Sequence, residues 1–302
     1  MSGLLWGIDL GGTKIEGAIL DAARPDAAVH RLRKETGASR GYDFVLSQIV
    51  AVVRELESVS GMPCPEILGI GTPGAVEPSL GTLKNSNTTC LNNQPLRDDI
   101  SSVISREILM ANDANCFALA EATLGAAAGE DVVMGLILGT GVGGGIVVHG
   151  KILNGLHGIA GEWGHNPMMG ESHPCYCGRK GCIETVIAGP SLERFHRESG
   201  GESIRLPEIV QRAASEDGTA VATLEHLRVK FGEAIAAVIN ILDPDAIVIG
   251  GGVGNIELLY SGETRLAIEE FLFNSTLSTR ILRPRLGDSA GVFGAAMLTR
   301  DL

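Results

Sequence analysis

Residues 4–20 read LLWGIDLGGTKIEGAIL, and residues 132–148 read VVMGLILGTGVGGGIVV. Each is an apolar run, a glycine-rich turn and a second apolar run. In the first copy, the runs 4–10 and 15–20 have strand length, and the turn GGTK joins them as a hairpin. In the second, strand 132–138 leads through a glycine turn at 139–144 into strand 145–150. A chain that writes one strand–turn–strand unit twice is expected to be an α/β protein of two similar halves, each with its own sheet.

The intervening sequence fits that plan. Residues 44–59 place Leu46, Ile49, Val50, Val53 and Leu56 at helical spacing, stopped by Gly61. Buried strands are expected at 66–71 and 108–112, with 82–95 between them as a polar turn segment that cannot fill a core. A helix is expected over 114–128, capped by Asn112 or Asp113. After residue 185 the pattern is mostly helical. It includes an amphipathic run over 219–242, a buried strand at 246–250 ending in Gly250, Gly251 and Gly252, and a closing helix at 291–299.

Charge and composition exclude several classes of function. The net charge of −12 argues against a nucleic-acid surface, and the only basic cluster, RLRK at 31–34, is too short to make one. A negatively charged substrate therefore needs a local site of backbone N–H groups or a metal ion. The start, MSGLLWGIDL, lacks the basic region of a signal peptide. The longest uncharged stretch, 132–148, is too broken by glycine for a membrane helix. Cys64, Cys90 and Cys116 are scattered among small or apolar neighbours, and a reduced cytoplasmic setting is expected. At 302 residues the chain can bury about three-quarters of its unfolded surface, in two domains.

The glycine turns carry the first chemistry. Asp9-Leu-Gly-Gly-Thr-Lys14 sets an acid at a strand end beside backbone N–H groups unobstructed by side chains. Such a nest suits a phosphate, with Asp9 holding its magnesium through water. An ordinary hairpin turn explains the glycines but not the acid, threonine and lysine together. The turn at 139–145 repeats the offer, and two nests at hairpin ends would face each other across a cleft. Gly250–Gly252 either let an adenosine approach the backbone or simply turn the chain. Neither turn is a P-loop. Gly139, Gly141 and Gly144 satisfy G-x-G-x-x-G, but a strand follows where a dinucleotide fold needs a helix.

The second chemistry lies in GEWGHNPMMGESHPCYCGRKGCIET, residues 161–185. His165, Cys175, Cys177 and Cys182 make a four-coordinate zinc set, and Gly178 and Gly181 let the loop fold back. A metal there would orient His165, with its second ring nitrogen toward a substrate, and fix Glu162 and Glu184 beside it. Asp113 is either a helix cap, the commoner role, or a base that takes a proton from a substrate hydroxyl. Asn112 offers both a donor and an acceptor. These convergent acids and amides suit a carbohydrate better than a flat base.

With those residues named, the chain resembles the ROK family of sugar kinases and repressors, within the actin-like/hexokinase superfamily. The likeness rests on GIDLGGTK (7–14), GTPG (71–74), NDAN (112–115), LGTGVGGG (138–145), GEWGH (161–165), CYCGRKGCIE (175–184) and GGG (250–252). It implies a two-domain actin-like, ribonuclease H-like α/β ATPase fold with the active site in a cleft between domains. The smaller domain would be 1–112 with 290–302, and the larger 113–289, carrying the zinc loop 161–185. The implied reaction is ATP-dependent phosphorylation of a hexose 6-hydroxyl, with Asp113 as base. The sugar site would comprise Gly74, Asn87, Asn112, Asp113, Glu162, His165 and Glu184. ATP and Mg²⁺ would be held by Asp9, Gly11, Gly12, Thr13, Lys14, Gly139, Thr140, Gly141, Gly251 and Gly252. His165, Cys175, Cys177 and Cys182 would hold a structural Zn²⁺, and a homodimer is expected, with neither membrane nor nucleic acid as partner.

Segments 84–96 and 161–167 resemble bacterial fructokinases that also accept mannose. NCFALAEA and VMGLILGTGVGGG resemble N-acetylglucosamine kinases instead. Fructose is the expected sugar, with N-acetylglucosamine, N-acetylmannosamine and glucose as alternatives. The family's repressors carry a DNA-binding segment ahead of the first phosphate motif. Here that motif begins at Gly7, so a kinase is expected rather than a regulator.

Overall fold

A computed structural model describes residues 3–300. Strand β1 (Leu4–Leu10) and β2 (Lys14–Asp21) form the expected hairpin. Strand β3 (Arg24–Glu35) pairs antiparallel with β2, an addition the sequence pattern did not announce. It is an edge strand with no fully buried residue, so the apolar alternation that marks a strand is missing. Helix α1 (Tyr42–Ser60) buries Val45, Ile49, Val52, Val53 and Leu56 against Trp6, Ile8, Leu68 and Ile70. Strand β4 (Ile67–Thr72) runs parallel to β1, followed by a two-residue hairpin of β5 (Ala75–Val76) and β6 (Leu83–Lys84).

Segment 82–95 does help to fill a core, contrary to expectation. Leu83 and Leu91 are buried in the same cluster as the sheet, together with Leu96 at the start of α2 (Leu96–Ile104). Two leucines among polar residues give no periodicity, yet each sits where a turn points inward. Strand β7 (Glu107–Asn112) pairs parallel with β4 and completes the order β3-β2-β1-β4-β7. Helix α3 (Asp113–Thr123) is shorter than expected. The fully buried Glu121 accepts from the backbone N–H of Ala126 at 2.8 Å and of Leu286 at 2.9 Å, which draws the chain out of the helix.

The second sheet has the same order. Strands β8 (Val132–Leu138), β9 (Val142–Val148), β10 (Lys151–Ile152), β11 (Ala246–Gly250) and β12 (Arg280–Leu282) lie as β10-β9-β8-β11-β12. Strand β9 begins at Val142, so Gly143, Gly144 and Gly145 are strand residues and the turn is shorter than 139–144. Helices α4 (Glu184–Ile187), α5 (Gly189–Glu198), α6 (Leu206–Ala213), α7 (Gly218–Leu242), α8 (Gly251–Gly254) and α9 (Gly262–Glu269) complete this half. The long α7 buries Leu227, Phe231 and Ile235 in one cluster with Met134, Leu136, Ile247 and Ile249. No helix among the described residues is long and apolar enough to cross a membrane.

Two compact units result. One holds residues up to Gly129, residues 145–160 and the chain from Arg285; the other holds Glu130–Gly144 and Gly161–Pro284. The expected division at 112/113 and 289/290 does not coincide with these units, because α3, residues 145–160 and residues 285–289 group with the first. (Residues 1–2 and 301–302, which that division takes in, lie outside the described residues.) The closing helix α10 (Ala290–Met297) packs on α3 so closely that a Cβ at Gly294 would lie 1.8 Å from the carbonyl oxygen of Cys116. That atom is backbone and cannot move aside. Gly294→Ala should therefore lower the unfolding free energy by about 3 kcal/mol, the upper end of the usual overpacking cost. A urea midpoint unchanged by the substitution would refute this packing.

Candidate active site and metal cluster

Strand β1 and the parallel β7 both end in carboxylate territory. Asp9 lies one residue before the end of β1, and Asp113 follows directly on β7. Asn112 caps α3: its Oδ1 accepts from Asn115 N–H at 2.7 Å. Asp113 is thereby released from the capping role, and its Oδ1 accepts the neighbouring N–H of Ala114 at 2.8 Å. It stays open to solvent on one side, while the protein around its carboxyl removes enough solvation to raise its pKa. Asp9 is pushed up to about 6, chiefly by burial, then by the charges of Asp113 and Glu16, with Lys14 opposing.

The glycine turn after β1 is closed by Gly11 N–H donating to the Lys14 carbonyl at 2.9 Å and by the Thr36 hydroxyl donating to the Gly11 carbonyl at 2.6 Å. Gly12, Thr13 and Lys14 are exposed. Gly74 is buried just after β4, where its carbonyl accepts the Thr72 hydroxyl at 2.8 Å. Asn87 is exposed in the loop after β6. Asn92 braces that loop: its Oδ1 accepts Ser86 N–H at 2.8 Å and its amide donates to the Ser86 carbonyl at 2.9 Å. Thr88, next to Asn87, is buried beside Gly12, and its hydroxyl has no partner among the described residues. Sequence reasoning missed Asn92 and Thr88, since nothing in a polar loop distinguishes them.

In the second unit, the turn at Gly139, Thr140 and Gly141 is closed by Gly139 N–H on the Gly141 carbonyl at 2.9 Å. Glu184, at the start of α4, accepts Val142 N–H through Oε2 at 2.9 Å, so this carboxylate sits at the turn. Gly251 and Gly252, both exposed, open α8 after β11.

The four predicted metal ligands converge. One donor atom each from His165, Cys175, Cys177 and Cys182 lies within 4.8 Å of every other. Cys177 Sγ is 3.6 Å from Cys182 Sγ, and Cys175 Sγ is 3.5 Å from His165 Nδ1. A tetrahedral zinc with bonds of about 2.3 Å needs sulfur edges of roughly 3.8 Å. Gly178 and Gly181 have φ of 86° and 68°, the left-handed turns that fold the loop back. All six cysteines are free of disulfides. Burial pushes Cys182 up to about 12, so these thiols would not ionise together without a cation among them. The donor set fits zinc. The other ring nitrogen of His165 does not point freely to a substrate, as expected, but lies 3.0 Å from the Tyr176 hydroxyl and 4.0 Å from Glu162 Oε2. Tyr176, hidden between two cysteines in the sequence, was not anticipated.

Asp9 carries a stability signature. Because its folded pKa is raised, protonated Asp9 favours the fold, and that contribution is lost as pH rises from about 4, its unfolded value, through about 6. Asp9→Asn should therefore raise the thermal midpoint relative to wild type above pH 6, with the gain shrinking toward zero near pH 4. A gain independent of pH would show that the Asp9 carboxyl is not desolvated.

Comparison with known proteins identifies the family and the fold. A model of the ROK family matches residues 5–302. The N-acetyl-D-glucosamine kinase of Photobacterium profundum is 34% identical over 305 residues, covering 98% of this chain and 99% of that protein. The ROK hexokinase from Thermus thermophilus superposes with a TM-score of 0.87 at 30% identity, covering 97% of each chain. A ROK family glucokinase from Streptomyces griseus, solved with glucose and AMPPNP, superposes at 0.79 with 28% identity, covering 99% of this chain and 100% of that one. The paired sheets are those of the actin-like ATPase fold. Alike in sequence over nearly its whole length and alike in fold, the chain belongs to the ROK family.

Proposed function

We propose that the protein is an ATP-dependent sugar kinase that phosphorylates the 6-hydroxyl of N-acetyl-D-glucosamine. The observation that carries the kinase reading is the division of labour at β7. Asn112 caps the helix, so Asp113 is left solvent-accessible with a raised pKa, as a proton acceptor for a sugar hydroxyl requires. Gly74, Asn87, Asn112, Glu162, His165 and Glu184 would contribute to sugar binding. The turns 11–14 and 139–141, with Gly251 and Gly252, receive ATP. Asp9 would hold a divalent cation through water, and such a cation neutralises phosphate charge during transfer.

Fructose gives way to N-acetyl-D-glucosamine as the favoured sugar. The fructokinase resemblance rested on two short segments, 84–96 and 161–167. The likeness to a protein named N-acetyl-D-glucosamine kinase runs over 98% of the chain.

An ADP-release assay across N-acetylglucosamine, N-acetylmannosamine, glucose, mannose and fructose tests both levels. N-acetylglucosamine should give the highest kcat/KM, and no turnover with any of the five would reject the kinase reading. Asp113→Asn should reduce kcat by about 10²–10⁴ with little change in sugar affinity. Near-normal turnover in that variant would remove Asp113 from the chemistry.

We also propose that the Cys₃His cluster holds one structural zinc per chain, which tethers the loop and takes no part in the transfer. Metal analysis should find one equivalent. Cys177→Ser should lower the thermal midpoint and raise the sugar KM by roughly tenfold, with the KM for ATP changed much less. Stable, fully active protein free of zinc would overturn this.

A further inference from the structure

Glu16 is a buried carboxylate for which the kinase reading has found no use. It lies opposite Asp9 on β1 and opposite Arg33 on β3. Directly opposed side chains share a face of the sheet, and so do residues two apart along a strand. Asp9, Lys14, Glu16, Arg31, Arg33 and Glu35, which lies opposite Lys14, therefore line one face beside the phosphate turn. The side chain of Glu16 is 1% exposed. Its Oε1 accepts from Arg31 Nε, its Oε2 accepts from Arg33 Nε at 2.6 Å, and Lys14 Nζ lies 3.7 Å from Oε2. Arg31 also donates from Nη1 to the Ser289 hydroxyl at 2.8 Å, which fixes it to the segment leading into α10.

Glu16 thus joins three bases, and two further acids, Asp9 and Glu35, stand on the same face. Fold stability does not call for this. Drawing three cations together is unfavourable, and burying the acid they share gives weak stabilisation at best. The side chains of Lys14 and Arg33 remain 46% exposed, so both cations reach solvent. Lys14 closes the turn that follows Asp9, so the anion it can receive is the one that enters that turn.

We infer that Glu16 is a positioning residue for phosphoryl transfer: it gathers Lys14, Arg31 and Arg33, and holds the Lys14 ammonium where the terminal phosphate of the donor is received. This rests on the kinase reading. Glu16 itself touches no substrate and acts through Lys14.

The test compares wild type, Glu16→Gln, Lys14→Met and the double variant in the full-length protein. Calorimetry without sugar measures the affinities for MgATP and MgADP, and steady-state kinetics gives KM for ATP and for sugar. Glu16→Gln should weaken ATP about tenfold, the loss of one charge-assisted contact, while ADP affinity and sugar KM change less than twofold. In the Lys14→Met background, Glu16→Gln should weaken ATP by less than twofold more, because the two act as one unit. Equal weakening of ATP and ADP, or additive losses in the double variant, would overturn the inference. Should Glu16→Gln fold poorly, Glu16→Gln with Arg33→Gln removes the acid together with one of its cations. It must show the same loss of ATP over ADP, and ATP binding at wild-type strength there would equally overturn it. Wild type that binds ATP but phosphorylates no sugar would fail the kinase reading instead, and leave the ATP-over-ADP comparison intact.

Discussion

Negative charge crowded at the carboxyl ends of β1 and β7 is the constraint around which the first unit is built. Asp9 and Asp113 both lose solvation, and each charge raises the cost of ionising Asp9 further. A fold selected for stability alone would place apolar or hydrogen-bonding residues there. Several features keep the acids in place. Asn112 takes over the helix cap, so Asp113 is not consumed by it. Gly71 on β4, between the two strands, leaves room: a Cβ there would come within 3.4 Å of Asp9 Oδ1 and 3.2 Å of Cys116 Sγ. The cations of Lys14, Arg31 and Arg33 stand on the same face.

The sequence made part of this legible, and the physical reason differs from element to element. The β1–β2 and β8–β9 hairpins were readable because both strands of each are apolar and the break between them is a glycine turn. The metal set was readable because its four ligands fall within eighteen residues, so local spacing alone brings them near. Strand β3 was not, since an exposed edge strand carries charges where a buried one carries valine. The end of α3 was not either. It depends on Glu121 reaching segment 285–286, more than 160 residues away. Asn112 and Asp113 mark an intermediate case. Both residue types cap helices, and only the hydrogen bond to Asn115 assigns the role. Tyr176, Asn92 and Thr88 became visible only with coordinates, because each is defined by what it touches rather than by its neighbours in sequence.

For the proposed phosphate contacts, backbone rather than side chains suits the same charge balance. With 36 acidic and 24 basic residues, the chain has few cations to commit to a nucleotide. Glycine turns supply N–H dipoles that need no counter-charge when the site is empty. Where cations are used, at Lys14, Arg31 and Arg33, a buried acid accompanies them, so the cluster persists without ligand.

In the second unit, metal cluster, short helix and glycine turn form one continuous chain of contacts. Cys182 lies two residues before Glu184, and the Thr185 hydroxyl donates back to the Cys182 carbonyl at 2.7 Å. Glu184 reaches Val142 N–H, and beyond α4 the N–H of Gly189 donates to the Gly139 carbonyl at 2.8 Å. The turn is thus held at two points, of which only Glu184 adjoins the cluster. A loosened metal loop would displace Glu184 and His165 first, while Gly189 continued to hold the turn from the far side of α4. Since the proposed sugar contacts include Glu162, His165 and Glu184, and the proposed nucleotide contacts include the turn itself, sugar binding would be the function more tightly tied to the Cys₃His cluster.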